Sequence, residues 1–101
     1  MRDMRYELEQ TASFEGWLES LDAGHRRRVI SRLSRVEQGN FGDHKAITES
    51  LFELRCFFGG GIRMYYTIRR NTVIFMLSGG DKDSQKRDIE IVKEMMKELE
   101  S

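Results

Sequence analysis

A chain of 101 residues and 11.9 kDa has material for one hydrophobic core and too little for two, so residues 1–101 read as a single domain. With 34% of its residues charged and no apolar run near the ~20 residues of a membrane span, the composition is that of a soluble protein. The formal net charge is zero, but residues 1–22 carry −4, residues 23–87 carry +7 and residues 88–101 carry −3, so a basic middle lies between acidic ends and offers phosphates a positive surface that the total conceals.

In chain order, Met1-Arg2-Asp3-Met4-Arg5 lacks the apolar stretch of a secretory signal. Together with a lone cysteine, Cys56, this makes a reduced cytoplasmic protein the expectation, with no disulfide framework. Tyr6-Glu7-Leu8-Glu9-Gln10 alternates as a short strand does. Thr11 or Ser13 then caps a helix that carries Phe14, Trp17, Leu18 and Leu21 on one side. Asp22-Ala23-Gly24 interrupts it, and a second helix follows with Val29, Ile30, Leu33 and Val36 as its apolar stripe. Arg26, Arg27, Arg28, Arg32 and Arg35 surround that stripe. Two short helices across a tight turn predict an antiparallel helical hairpin.

Gly39-Asn40-Phe41-Gly42-Asp43 is turn chemistry that ends the second helix. Three strand-like runs come next: Leu51 to Phe58, Ile62 to Ile68 after Gly59-Gly60-Gly61, and Thr72 to Leu77 after Arg69-Arg70-Asn71. Connections this short favour an antiparallel meander. Ser78-Gly79-Gly80-Asp81 breaks the last strand, and a helix from Ser84, capped by it or by Asp83, carries Ile89, Val92, Met96 and Leu99. The order β-α-α-β-β-β-α predicts an α+β domain, a small antiparallel sheet with helices packed on it. Phe14, Trp17 and Leu33 are its expected core, and Met95-Met96 reads as packing rather than chemistry.

Few signatures of catalysis are legible. His25 and His44 stand alone, with no cysteine or second histidine at ligand spacing, so no metal and no cofactor is expected. There is no nucleophile elbow and no phosphate-binding loop, because the three glycines join strands and open no helix. What remains is a set of cations on the expected sheet. Glu53 and Arg55 share one face, and Phe52, Leu54 and Cys56 the other; in the next strand Arg63, Tyr65 and Thr67 alternate with Met64, Tyr66 and Ile68. Pairing across the glycine turn places Arg55 and Arg63 on one face, with Lys45 and Lys82 overhanging it from loops on either side. Such a face suits an anionic, phosphate-bearing ligand. Pairing of these arginines with Glu53 or Asp81 is the structural alternative.

At this point the blocks form a pattern. Phe14-Glu15-Gly16-Trp17-Leu18-Glu19-Ser20-Leu21, Arg32-Leu33-Ser34-Arg35 and Gly39-Asn40-Phe41-Gly42-Asp43-His44-Lys45 resemble the HigB-like branch of the RelE/ParE toxins, phage-derived killer proteins of addiction modules. Phe52-Glu53-Leu54-Arg55, Gly61-Ile62-Arg63-Met64-Tyr65-Tyr66 and Leu77-Ser78-Gly79-Gly80-Asp81-Lys82 continue the likeness in the family's order over nearly the whole chain. The resemblance implies a small antiparallel sheet packed on an N-terminal helical hairpin. It also implies a bacterial, cytoplasmic, metal-independent endoribonuclease that cuts messenger RNA on the ribosome, where the 2′-hydroxyl attacks the adjacent phosphate. Arg55 and Arg63 would then hold the scissile phosphate with Lys82 assisting, Lys45 would bind RNA backbone, and Tyr65 or Tyr66 would stack on a base or move a proton. The implied partner is a helix-turn-helix antitoxin of the HigA-like kind, through which alone the complex would touch DNA. Where the best-known ribonuclease members have a C-terminal tyrosine, Asp83 to Ser101 contains none, and Ile62 and Gly60 stand where this branch commonly has an aromatic residue and a proline. The other activities the resemblance admits are a ParE-like, non-catalytic inhibitor of DNA gyrase and an inactive remnant that only binds antitoxin.

Overall fold

The computed structural model describes residues 5–100; the reading of Met1 to Met4 as lacking a signal lies outside them. Strand β1 (Glu7–Gln10) leads directly into helix α1 (Ala12–Ser20), whose start is fixed by the Thr11 hydroxyl. That hydroxyl accepts from the Phe14 backbone N–H at 3.0 Å and donates to the Leu77 carbonyl at 2.7 Å, so the cap also ties the helix to the sheet. Of the two expected caps, Thr11 is the one used. Helix α2 (Ala23–Glu37) begins one turn later behind Asp22, whose carboxylate accepts from the His25 N–H at 2.8 Å. This bond is the main reason the Asp22 pKa falls below the usual carboxylate value. Gly39, at φ 90°, takes the chain out of α2 where a side chain would be strained.

Four further strands follow: β2 (His44–Ala46), β3 (Phe52–Arg55), β4 (Arg63–Arg69) and β5 (Val73–Gly80), before helix α3 (Gln85–Glu100). The sheet order is β1-β5-β4-β3-β2. The expected meander is present from β3 to β5, β2 extends it antiparallel beyond β3, and β1 adds a parallel edge beside β5. Strand β2 was not foreseen: its three residues are all exposed and carry no apolar alternation that would mark a strand.

The expected break at Ser78 is also absent, since β5 runs through Gly79 and Gly80. Both glycines are needed there because other side chains occupy the space. A Cβ on Gly79 would collide with the Trp17 ring, and one on Gly80 with the Asp88 carboxylate. At the β4–β5 turn, Arg70 and Asn71 sit at φ 54° and 61°, the left-handed pair that suits the twist of a tight hairpin.

Alternation along the strands feeds two cores. On one face Phe14, Val29, Leu33 and Val36 from α1 and α2 pack on Leu54, Cys56, Met64, Tyr66, Ile74 and Met76, with Trp17 partly buried against them. On the other, Val92 and Met96 of α3 cover Leu51, Tyr65 and Leu77, and Met95 packs at the edge of that cluster. The sheet is therefore sandwiched between helices on both faces, with the smaller core under α3.

A cationic cleft at the end of the central strands

In the β3–β4 pairing Arg55 lies directly opposite Arg63, as the glycine turn predicts. Two guanidinium groups facing each other at the end of a sheet repel unless anions separate them. Arg55 finds one partner, the Asp43 carboxylate, at 3.5 Å from its Nε, and both side chains remain about one-third exposed. The Arg63 Nε is buried with no hydrogen-bond partner among the described residues. Lys82 joins them from beyond β5. The turn holds its backbone in place, because the Lys82 N–H reaches the Gly60 carbonyl at 3.4 Å and the Lys82 Cβ lies 3.2 Å from where a Cβ on Gly61 would sit. Gly59, Gly60 and Gly61 all have positive φ, so this close loop requires glycine.

Arg55, Arg63 and Lys82 thus line one open cleft of about 350 Å³ with Cys56, Phe57, Gly60 and Gly61, and among the described residues no carboxylate lines it. The sequence-level alternative, in which Glu53 or Asp81 neutralises these arginines, is not what the structure holds. Glu53 is fully buried and bonded to the Gln85 amide at 2.7 Å, while Asp81 accepts from the Ser84 N–H at 3.0 Å.

Lys45 is placed differently from expectation. It belongs to strand β2 rather than to a loop, opposite Glu53 in register, and it is exposed but does not line the cleft. Tyr65 and Tyr66 also require correction, since both side chains are buried and neither presents a ring face to a base. Tyr66 stacks on Phe41 and Phe52 at centroid distances of 5.9 and 5.4 Å, and burial pushes its pKa up to about 12. Tyr65 sits under α3; burial first, then the charges of Glu53 and Asp88, push its pKa up. A proton held this tightly is a poor one to exchange near neutrality.

Three participants were not singled out from the sequence. Arg32 is a positioning residue: its guanidinium donates to the carbonyls of Arg55 at 2.9 Å, Phe41 at 2.8 Å and Asp43 at 2.9 Å, fixing the backbone on which Arg55 and its partner stand. Cys56 lines the cleft, but it is buried, and burial pushes its thiol pKa up. Phe57 stands 87% exposed at the cleft's edge. A second groove, of about 510 Å³, adjoins this cleft; Arg28, Arg32, Arg35, Asp43, Arg55, Cys56 and Phe57 are among the residues lining it. The signal for this groove was in the sequence, because arginines at 28, 32 and 35 follow the 4 and 3 spacing of one helix face. Among the described residues no His, Cys, Asp and Glu side chains gather in threes as a metal ion requires, and no helix is long and apolar enough to cross a membrane.

Residues 16–97 match the family model described as phage derived protein Gp49-like (DUF891). An uncharacterized protein of Haemophilus influenzae is 34% identical over 97 residues, spanning 95% of this chain and 98% of that one. In shape the chain is similar to a double-arginine mutant of the E. coli toxin RelE in the free state, with a TM-score of 0.71 at 19% identity over 90% of this chain and 98% of that one. It is also similar to a chain of the archaeal RelE-RelB complex from Pyrococcus horikoshii, with a TM-score of 0.61 at 21% identity over 78% and 97% of the two chains. At such identities the likeness is one of fold.

Proposed function

The chain belongs to the phage-derived Gp49-like family, and we propose that it is the toxin of a toxin–antitoxin pair, an endoribonuclease that arrests translation by cutting messenger RNA on the ribosome. The observation that carries this reading is the cleft itself, in which the described residues place three cations, no lining carboxylate, and one buried guanidinium nitrogen without a partner. A site of that composition suits a phosphodiester more than any neutral substrate. It also suits the charge that develops during cleavage. When the ribose 2′-hydroxyl attacks the neighbouring phosphorus, its proton passes to solvent water, a P–O bond forms and the phosphorane gains negative charge. The bond to the 5′-oxygen then breaks, leaving a 2′,3′-cyclic phosphate and a free 5′-hydroxyl.

In this mechanism Arg55 and Arg63 hold the phosphate oxygens and stabilise the phosphorane, since a guanidinium meets two oxygens at once and keeps its charge. Lys82 assists, and unlike the arginines it carries a proton it can release to the departing 5′-oxygen. Lys45, exposed on the edge strand, contacts RNA backbone beyond the cleft. A helix-turn-helix antitoxin holds the toxin inactive and supplies the DNA contacts of the pair. The archaeal RelE-RelB complex supports a protein partner for a chain of this fold.

Primer extension on a reporter messenger minutes after induction in bacteria tests the reading, with Arg55→Ala beside the wild type. New cuts within the translated region are expected, absent in the variant and absent when translation is blocked. Growth arrest without cuts would sink the nuclease and favour gyrase as the target. Neither arrest nor cuts would leave an antitoxin-binding remnant.

A further inference from the structure

Between the cationic cleft and the arginine groove stands Phe57, which lines both. The loop that carries it is firmly built. Cys56 donates to the Ile62 carbonyl at 2.9 Å, and the N–H groups of Gly61 and Ile62 return to the Phe58 carbonyl at 3.1 and 3.2 Å. Phe58 is anchored toward α2, stacked on His25 at 5.8 Å with the Arg28 guanidinium 4.2 Å from its ring centre. Cys56 points into the core. With its two neighbours turned inward, Phe57 is held outward at 87% exposure. The other exposed large hydrophobics, Ile30, Ile91 and Leu99, are aliphatic helix residues of the ordinary kind, and none of them lines either cationic cavity.

We infer that Phe57 is a base-stacking platform for a single RNA strand, with the phosphate on one side of the stacked nucleotide held by Arg55, Arg63 and Lys82 and the phosphate on the other side held by Arg28 and Arg35. This rests on the ribonuclease reading and names the footprint of its substrate. An aromatic face between two cationic walls is the arrangement by which proteins hold unpaired strands, because every base has a face to stack and every linkage a charge to pair. A base inside a duplex is already stacked on both sides and cannot use it. The walls also argue against a protein partner's apolar helix, since arginines rather than aliphatic side chains surround the ring. Among the described residues Asp43 is the one acid lining the groove, and it is occupied by the Arg55 Nε. Arg32, spent on three backbone carbonyls, shapes the groove and is not counted among the phosphate contacts.

The test is a titration of the purified protein with a short single-stranded RNA made uncleavable by 2′-O-methylation, and with the same sequence as a duplex. Phe57→Ala is expected to weaken single-strand binding about 5- to 150-fold, the range of one lost base stack. Phe57→Trp should keep the affinity, and its added indole fluorescence should be quenched by the single strand and not by the duplex. The double change of Arg28 and Arg35 to alanine should weaken binding without restoring or removing that quench at saturation. The inference is overturned if Phe57→Ala binds as the wild type does, if the duplex binds equally well, if the wild type fails to bind the single strand, or if Phe57→Ala loses only antitoxin capture. Cleavage in cells separates the two readings. Cuts that depend on Arg55 but not on Phe57 would leave the nuclease standing and remove the platform. Absent cuts would remove the nuclease, while the titration would still read the stack.

Discussion

Tyr66 places a phenol in the core beside Phe41 and Phe52, and its pKa of about 12 against the ordinary 10 means the folded state holds the proton more tightly than the unfolded chain. The contribution is therefore fully present below pH 10 and is lost as pH rises through 12, because the unfolded chain ionises first. The rise from 10 to 12 corresponds to on the order of 3 kcal/mol. Tyr65 adds to the loss in the same direction. Tyr66→Phe is expected to flatten the alkaline fall of the urea midpoint between pH 10 and 12, whereas an unaltered fall would mean that this hydroxyl ionises without unfolding. Arg32 gives a second prediction at this scale. Lysine keeps the charge but cannot spread donors over three carbonyls from one planar fork, so Arg32→Lys should cost about 1–3 kcal/mol in urea unfolding. It should also lower cleavage although it touches no substrate, because Arg55 and Asp43 hang from two of those carbonyls. Unchanged stability would show that the carbonyls find other donors.

The cap of α1 shows how one side chain ties an element to the sheet. Thr11→Ala removes both the bond that starts the helix and the bond to the Leu77 carbonyl, so a loss of about 1–2 kcal/mol is expected by thermal or urea unfolding, and Thr11→Ser should recover most of it. Gly79→Ala tests the continuity of β5 in the same assay. The new methyl meets the Trp17 ring, and a loss of about 1–3 kcal/mol is expected, with Trp17 fluorescence altered. These two elements also mark where the sequence was legible. Thr11, Asp22 and the glycine turn act through neighbours a few residues away, and local signals of this kind placed both helices and set Arg55 opposite Arg63. Gly79 acts through Trp17, sixty-two positions earlier, and so read as a strand break when it is a packing site. Strand β2 was invisible because an exposed edge strand needs no apolar alternation. Alternation gave the faces of Tyr65 and Tyr66 but not that both faces are covered, which depends on Phe41, Phe52 and α3 folding over them.

At the scale of the whole molecule the charge is segregated. A total of zero gives no long-range attraction to a polyanion, so the RNA affinity we propose would have to come from the local cations of the cleft and groove. The acidic counterpart lies at the ends: from Asp88 onward α3 carries Asp88, Glu90, Glu94, Glu98 and Glu100 against Lys93 and Lys97, with Glu94 paired to Lys97 at 3.0 Å, and this part of the helix covers the smaller core. Binding by counterion release makes log K fall with log salt at about 0.7 per phosphate neutralised on a single strand. One phosphate held in the cleft, with or without a second held by Arg28 and Arg35, therefore predicts a slope of about −0.7 to −1.4 for the uncleavable strand. Arg63→Ala should weaken binding and make that slope shallower by at most about 0.7, since Arg55 and Lys82 still meet the same phosphate, whereas Lys45→Ala, on the edge strand outside the cleft, should leave binding of a strand too short to reach it unchanged. Fluorescence titrations across a series of salt concentrations measure both. A slope near zero would mean that the cations of the cleft are not what the strand meets. A Lys45 variant that loses as much slope as the Arg63 variant would extend the footprint along β3 to the sheet edge, past the buried Glu53, and would make the strand's path longer than the two cavities alone require.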